Sequence, residues 1–125
     1  MIPALNDMEL DHILEAAAAA GASNAGTILV RLPLELAPLF EEWLETHVPE
    51  KAKHVMSLIR QSRGGKAYRA EWGTRMTGTG PYAEMLRLRF ERAIRRLGLN
   101  RGRVWQLDTT RFHPPAKPGD QLSLF

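Results

Sequence analysis

Apolar residues recur every three or four positions in four stretches of the chain, which predicts four amphipathic helices. The predicted helices cover residues 6–20, 35–47, 49–61 and 81–97. Proline opens the last two, where its missing N–H costs nothing, and glycine follows the first and the last. The pattern therefore predicts a protein that is mostly helical.

The fourth predicted helix has an apolar face beside a basic one. Its apolar face comprises Tyr82, Leu86, Phe90, Ile94 and Leu97. Arg89, Arg92 and Arg96 follow the same spacing on the neighbouring face, so we expect them to point outward. A glycine- and threonine-rich turn at residues 73–80 precedes the helix, and its N–H groups can face an anion. The alternative is a core helix whose arginines are only solvated.

An apolar, β-branched run at residues 27–32 lies between a glycine and a proline, which predicts a buried strand. Residues 1–5 resemble the end of another strand, so strand, helix and strand form a β-α-β unit with parallel strands. Arg31 is near the carboxyl end of the second strand, where α/β folds carry their ligand sites. A structural ion pair is the other interpretation of Arg31.

These elements predict an α/β protein that is mostly helical and has three parts. Residues 1–61 carry the β-α-β unit and two further helices, residues 62–112 a basic loop and a helical extension, and residues 113–125 a flexible tail. Val104, Trp105 and Leu107 favour one more short strand.

Composition excludes several classes of site. The chain has 125 residues and no cysteine, so disulfides, zinc–cysteine sites, iron–sulfur ligation and thiol nucleophiles are excluded within it. His47 and His54 lack a carboxylate at ligand spacing, and we expect no metal site. No apolar run is long enough to span a bilayer and no signal peptide is evident, which favours a cytoplasmic location. We find no constellation of catalytic acid, base or nucleophile.

Charge is unevenly distributed along the chain. Residues 1–59 contain three Lys/Arg and nine Asp/Glu, whereas residues 60–103 contain twelve Lys/Arg and three Asp/Glu. Eleven of those twelve are arginine, the side chain that binds phosphates with two N–H groups at once. The basic half therefore predicts a polyanionic partner such as DNA or RNA.

The connection at residues 62–80 interleaves basic and aromatic side chains, which can hold phosphates while stacking bases. It is not a P-loop, because no Gly-Lys-Ser/Thr follows at the required spacing. The candidate nucleic-acid-binding residues are Arg63, Lys66, Arg75, Arg89, Arg92 and Arg96. The alternative is a packed irregular loop with Tyr68 and Trp72 in the core.

The chain ends in a proline- and glycine-rich stretch followed by Gln121, Leu122, Ser123, Leu124 and Phe125. An apolar pentapeptide on a mobile tail is typical of a peptide ligand for a hydrophobic groove on another protein. The sequence QLSLF resembles the short motif by which bacterial polymerases and repair proteins bind the replicative sliding clamp, which implies the clamp as a partner.

Most of the chain also resembles the C-terminal third of DNA-repair-photolyase-like radical S-adenosylmethionine proteins, which are relatives of spore photoproduct lyase. The matching motifs are IPALND, VRLP, RGGKAY, GTRMTGTGPYAE and RRLGLN. The resemblance implies the last β/α unit of a partial TIM-like barrel. In that family three cysteines hold a 4Fe–4S cluster, which cleaves S-adenosylmethionine to a radical that abstracts hydrogen from the substrate. The resemblance also implies that Asn6 and Arg31 are at the cofactor-facing mouth of the barrel.

This sequence departs from the family pattern because it has no cysteine and lacks about the first two-thirds of the barrel. We therefore expect a truncated or split family member that holds no cofactor by itself, is inactive alone, and can complement a separate N-terminal half. The alternative is a non-enzymatic adaptor that binds nucleic acid through residues 60–103 and the clamp through its tail. A third is a decayed reading frame whose product exposes apolar faces and self-associates.

Overall fold

Four helices dominate the computed structural model, which describes residues 1–102 and 109–113. They are α1 (Leu10–Ala19), α2 (Leu36–His47), α3 (Pro49–Gln61) and α4 (Gly80–Leu97). One-turn 3-10 helices occupy Asp7–Glu9, before α1, and Thr109–Arg111. The mostly helical character predicted from periodicity is confirmed, and the helix bounds match the prediction closely.

The strand predicted at residues 27–32 does not form, and no strand occurs anywhere in the part of the chain that the structure describes. Among the described residues, the backbone of this segment is bonded to one residue on each side, Met1 by two hydrogen bonds and Met76 by one, which is too few for a ladder. The short strand predicted around Val104, Trp105 and Leu107, and the tail from residue 114, lie outside the described residues.

The contact at Met1 nevertheless has a defined direction. The Met1 amine donates to the Ile28 carbonyl at 2.9 Å, and the Val30 N–H donates to the Met1 carbonyl at 2.9 Å. One residue bonded to two residues flanking a third on its neighbour is the pattern of one rung of a parallel pair. On the other side, the Leu29 N–H donates to the Met76 carbonyl at 2.8 Å.

The first core cluster lies between α2 and α3. Leu44, Val55 and Ile59 are fully buried there, and Leu32 covers one end. Residues 2–5 pack around the rim of this cluster. Burying an aliphatic side chain of this size contributes about 1.5–3 kcal/mol, so these residues hold the two helices together.

The second core cluster joins α1 to α4. Its fully buried members are Leu10, Leu14, Ala93 and Leu99, and the half-buried Phe90 packs against them. Ala93 is 1% exposed, so the small side chain lets the two helices approach closely at that point. This contact crosses the boundary predicted after residue 61, because α1 precedes it and α4 follows it.

Two glycines fix the course of the chain around α4. Gly98 ends the helix at φ 72°, with its N–H bonded to Ile94, so the predicted left-handed cap is confirmed. Gly78, before the helix, has φ 76°, and a Cβ there would be 2.8 Å from Leu29 and 3.0 Å from the Ser62 carbonyl. A side chain at Gly78 would therefore push the loop away from residue 29.

The apolar face of α2 is only partly covered. Leu44 is fully buried, but Leu36, Leu39 and Trp43 are each about half exposed. The rings of Phe40 and Trp43 are stacked, with centroids 6.0 Å apart. None of the helices in the described ranges is long and apolar enough to cross a membrane.

Candidate functional site

The arginines of α4 divide according to their partners, and Arg89 is the most constrained of them. Its Nε donates to Asp11 Oδ2 at 2.7 Å, while Nη1 and Nη2 donate to the carbonyls of Asp7 and Met8 at 3.0 Å each. All three partners belong to the start of α1 or the turn before it. Arg89 therefore connects two helices, and its side chain is only one-third exposed.

Arg96 repeats this arrangement two turns further along α4. It bonds Glu15 at 2.6 Å and approaches Asp11 at 3.5 Å. The hydrogen bond from the Glu15 carboxylate raises the pKa of Arg96 above its ordinary value. Arg92 is exposed, and none of the described residues forms an ion pair with it. Of the three arginines predicted to point outward, two face the acidic residues of α1.

Tyr82 adds a further link between α4 and the turn before α1. Its hydroxyl donates to Asp7 Oδ2 at 2.8 Å, and Asp7 is buried. Burial, together with the bond to this carboxylate, raises the pKa of Tyr82 to about 12. The polar contacts between α1 and α4 thus join basic and phenolic donors on α4 to carboxylates on α1 and on the turn before it.

Arg63 behaves differently, because its guanidinium points into the molecule. Arg63 is 2% exposed, and its guanidinium donates only to backbone carbonyls. Nη1 bonds Thr74 at 3.1 Å and Arg75 at 2.9 Å, while Nη2 bonds Leu29 at 3.2 Å and Val30 at 3.0 Å. Arg63 therefore fastens the loop that precedes α4 to the segment beside Met1, and its charge is not presented on the surface.

Arg31 is next to Arg63 and has no carboxylate partner among the described residues either. Its Nη2 donates to the Tyr68 hydroxyl at 3.1 Å, and Nη1 is 3.9 Å from Met76 Sδ. Its Nε is buried without a partner. Burial, and then the neighbouring Arg31, lower the pKa of Arg63 from its ordinary value. The two guanidinium groups form a cationic pair that no acidic side chain in the described ranges neutralises.

Asn6 has a local role. Its Oδ1 accepts the Ile2 N–H at 2.7 Å, and it makes no side-chain cap of the following turn. No hydrogen bond joins it to Arg31 within the described ranges. The structure therefore leaves the two residues that the family resemblance assigns to a cofactor as separate features.

The loop from Lys66 to Arg75 carries the two remaining candidate cations, the exposed Lys66 and the half-buried Arg75. Lys66 is exposed and unpaired among the described residues, and Arg69 is bound to Glu71 at 2.7 Å. The Arg75 guanidinium lies 4.0 Å from the centre of the Trp72 ring. Trp72 is 81% exposed, so the interpretation that it belongs to the core is wrong.

The burial of Arg63 was missed from the sequence, although a signal was present. The buried positions of α3 follow helical spacing and continue past its end: Ala52, Val55, Met56, Ile59, Ser62 and Arg63. Arg63 thus occupies the inner face of the next turn. The exposure of Trp72 had a weaker signal, because charged residues and glycine surround it.

An apolar cleft of about 260 Å³ lies between α4 and the segment beside Met1, with Leu29, Leu86 and Phe90 in its wall. No group of three acidic or histidine side chains in the described part could hold a metal ion. No protein-family model, no curated protein and no solved structure matches this chain.

Proposed function

We propose that the chain is the C-terminal part of a radical S-adenosylmethionine protein of the DNA-repair-photolyase-like kind, and that it acts only with a separate barrel segment that supplies the cysteines. It would contribute the last β/α unit of the barrel and a helical extension. Both this activity and the alternative below would operate in the cytoplasm.

The observation that supports the proposal is the parallel rung at Met1. Parallel neighbours cannot be joined by a tight turn, and here α1 makes the crossover between Met1 and residues 28–30. A β/α barrel repeats this connection. Neighbouring backbone from a barrel segment would supply the further partners that residues 26 and 27 lack within the described chain.

Arg31 is suited to an anionic part of the cofactor. It follows the rung toward the carboxyl end of the segment, which is where ligands bind in α/β folds. It has no acidic partner in the described residues, so its charge is available to the carboxylate of S-adenosylmethionine. The Asn6 amide can donate a further hydrogen bond, because its oxygen alone is engaged by the residues that the structure describes.

The residues present do not fit an iron–sulfur cluster. The chain has no cysteine, so every thiolate ligand has to come from the separate segment. A cluster held by that segment would supply the redox chemistry, and this chain would contribute no ligand to it. The role of this chain is then to complete the barrel wall, to exclude water from that side and to orient the cofactor through Arg31.

The decisive experiment mixes this chain with a cysteine-bearing barrel segment of the kind that the proposal requires, under anaerobic conditions with iron and sulfide. We expect cleavage of S-adenosylmethionine by the mixture and by neither part alone. Arg31→Gln should raise the KM for S-adenosylmethionine in the mixture, and Arg92→Gln is the matched control. A 4Fe–4S absorption band from this chain alone would contradict the proposal, as would a mixture that remains inactive.

A second candidate is a non-enzymatic adaptor recruited to the sliding clamp. The observation that favours it is the group of cations without carboxylate partners in the described ranges, of which Lys66 and Arg92 are exposed. The clamp-binding motif, Gln121, Leu122, Ser123, Leu124 and Phe125, lies outside the described residues.

The adaptor is tested by measuring binding of the full chain to purified sliding clamp by calorimetry. A chain with Leu124→Ala and Phe125→Ala should lose the interaction and keep its helical circular dichroism. Equal binding by both chains would remove the clamp as the partner of this tail.

A further inference from the structure

We propose that a base of single-stranded nucleic acid stacks on Trp72, with Arg75 on the other face of the ring and Lys66, from the same loop, available to a neighbouring phosphate. We refer to these three residues as the Trp72 platform. The inference rests on the nucleic-acid binding of the second candidate, and it assigns that binding to a defined place that the charge pattern alone did not identify.

The first argument is the exposure of the indole ring. Trp72 is 81% exposed, and a ring of that size contributes a large apolar area when it is covered. The local sequence does not hide it, because Glu71 precedes it and Gly73 follows it. Its ring is therefore available to a partner with a flat apolar face.

The second argument is that the ring is already oriented. The Arg75 guanidinium lies 4.0 Å from the ring centre and covers one face of the indole. The other face remains open for a base, which would complete a stack of base, indole and guanidinium. Arg75 would at the same time bring a positive charge close to the phosphates on either side of the stacked base.

The third argument is that the backbone below the platform is anchored. The Arg75 N–H donates to the backbone carbonyl of Glu71 at 3.0 Å, and the Gly78 N–H donates to the backbone carbonyl of Thr74 at 2.8 Å. Buried Arg63 holds the carbonyls of Thr74 and Arg75. Binding would not have to order this stretch of chain, and that lowers the entropic cost of association.

The fourth argument is the local charge. Residues 63–75 contain four cations and one carboxylate, and that carboxylate, Glu71, is bound to Arg69 at 2.7 Å. Lys66 and Arg75 have no acidic partner in the part of the chain described. A positively charged surface with an exposed aromatic ring is the combination that single-strand-binding proteins use.

The same features favour a single strand over a duplex. In a duplex each base is already stacked on its neighbours, so an aromatic side chain finds no free face without unstacking them. A single strand offers such faces at each nucleotide. We therefore expect little sequence preference and a strong dependence of affinity on salt.

The test is titration of the full chain into fluorescein-labelled oligothymidylate at low salt, followed by fluorescence anisotropy so that variants without Trp72 can be compared, and then repetition at increasing salt. Wild-type protein should bind with quenching of tryptophan emission. Trp72→Ala should weaken binding about tenfold, the range found for the loss of one stacked base. Trp72→Phe should retain most of the affinity, and Trp43→Phe is the control at another partly exposed tryptophan.

Two further probes separate stacking from charge. An abasic strand of the same length should bind wild type as weakly as oligothymidylate binds Trp72→Ala, and the substitution should then have no further effect. Lys66→Gln should reduce the slope of log affinity against log salt by about 0.7, the value for one phosphate contact on a single strand.

Three outcomes would overturn the inference. If Trp72→Ala binds oligothymidylate as wild type does, the platform is not the site, although the adaptor proposal stands. If duplex binds as tightly as single strand, stacking is not the mode of binding. If only vesicles containing phosphatidylserine quench the emission, the exposed ring serves a membrane surface, and both this inference and the nucleic-acid role fail.

Discussion

Two regions of this molecule are rich in arginine, and they use it in opposite ways. At the α1–α4 interface, Arg89 and Arg96 are bound to carboxylates of α1, so charge is cancelled where the helices meet. In the region around Arg31 and residues 63–75, Arg31 and Arg63 bond a phenol and backbone carbonyls. A carbonyl satisfies an N–H group but leaves the positive charge in place.

The partner of each arginine therefore indicates whether its charge can attract an anion, and the number of basic residues does not. The charges of Arg89 and Arg96 are offset by the carboxylates that they bind, so these two arginines offer little to a polyanion. The second region keeps its positive potential, although Arg63 itself is inaccessible. We therefore expect substitutions in the first region to change stability alone, and those of Lys66 and Arg75 to change binding.

The largest effect on stability is expected at Arg63. Arg63→Lys keeps the charge but cannot reach four carbonyls on two segments, so buried acceptors lose their donors. We expect the free energy of unfolding to fall by about 3 kcal/mol, the range for losing charged donors to buried groups. Urea denaturation measures this, with Arg92→Lys as a control that should match wild type. Equal stability of the two variants would refute a structural role for Arg63.

A smaller loss is expected at Arg89, which joins α4 to three partners at the start of α1. Arg89→Gln should lower the free energy of unfolding by about 2 kcal/mol, because two carbonyls and a carboxylate lose a charged donor. A double-mutant cycle with Asp11→Asn should give a coupling of about 1 kcal/mol. Zero coupling would mean that the pair with Asp11 contributes nothing and that the two carbonyls account for the loss.

The dependence of the free energy of unfolding on alkaline pH tests the same interface, because Tyr82 titrates there. Its pKa is raised from 10.0 to about 12 in the folded protein, so the folded state holds the phenolic proton more tightly than the unfolded state does. The contribution is fully present below pH 10 and is lost as the pH rises through about 12. Tyrosinate absorbance should show a transition near pH 12 that Tyr82→Phe removes and Tyr68→Phe retains. A wild-type titration complete below pH 11 would contradict the Tyr82–Asp7 bond.

The smallest effect is expected at Arg87, which pairs with Glu84 and Glu91 on the outer side of α4. These carboxylates raise the pKa of Arg87, but the side chain is about half exposed and solvent screens its ion pairs. Arg87→Gln should leave Tm unchanged at physiological salt, as measured by circular dichroism. A loss as large as that of Arg89→Gln would remove the distinction between interfacial and surface arginines.

The helices were predictable because their signals are local. Pro49 begins α3 and Gly98 caps α4, and both effects depend only on neighbouring backbone. The strand at residues 27–32 was not predictable in the same way. A strand requires backbone partners that are remote in sequence, and within the described ranges only Met1 and Met76 form backbone–backbone hydrogen bonds with this segment.

The orientation of side chains was harder to predict than the elements that carry them. Arg89 was expected to point outward because its helical face is basic, but Asp11 lies opposite it in the fold and draws it into the interface. Arg63 was expected to bind nucleic acid, although its spacing continues the buried stripe of α3. At Arg63 the helical spacing predicts the direction of the side chain correctly. At Arg89 the direction depends on Asp11, a neighbour that is remote in sequence.

The four carbonyls held by Arg63 also bear on how the protein folds. They belong to two pairs of residues, at 29–30 and at 74–75, that are far apart in sequence. Closing so long a loop has an entropic cost before any contact compensates it. Each pair accepts from only one of the two terminal nitrogens of this guanidinium. Both segments therefore have to be in place before the side chain can be buried with its hydrogen bonds made. Arg63 thus makes the two segments one cooperative unit, whose backbone amides should exchange with solvent hydrogen together.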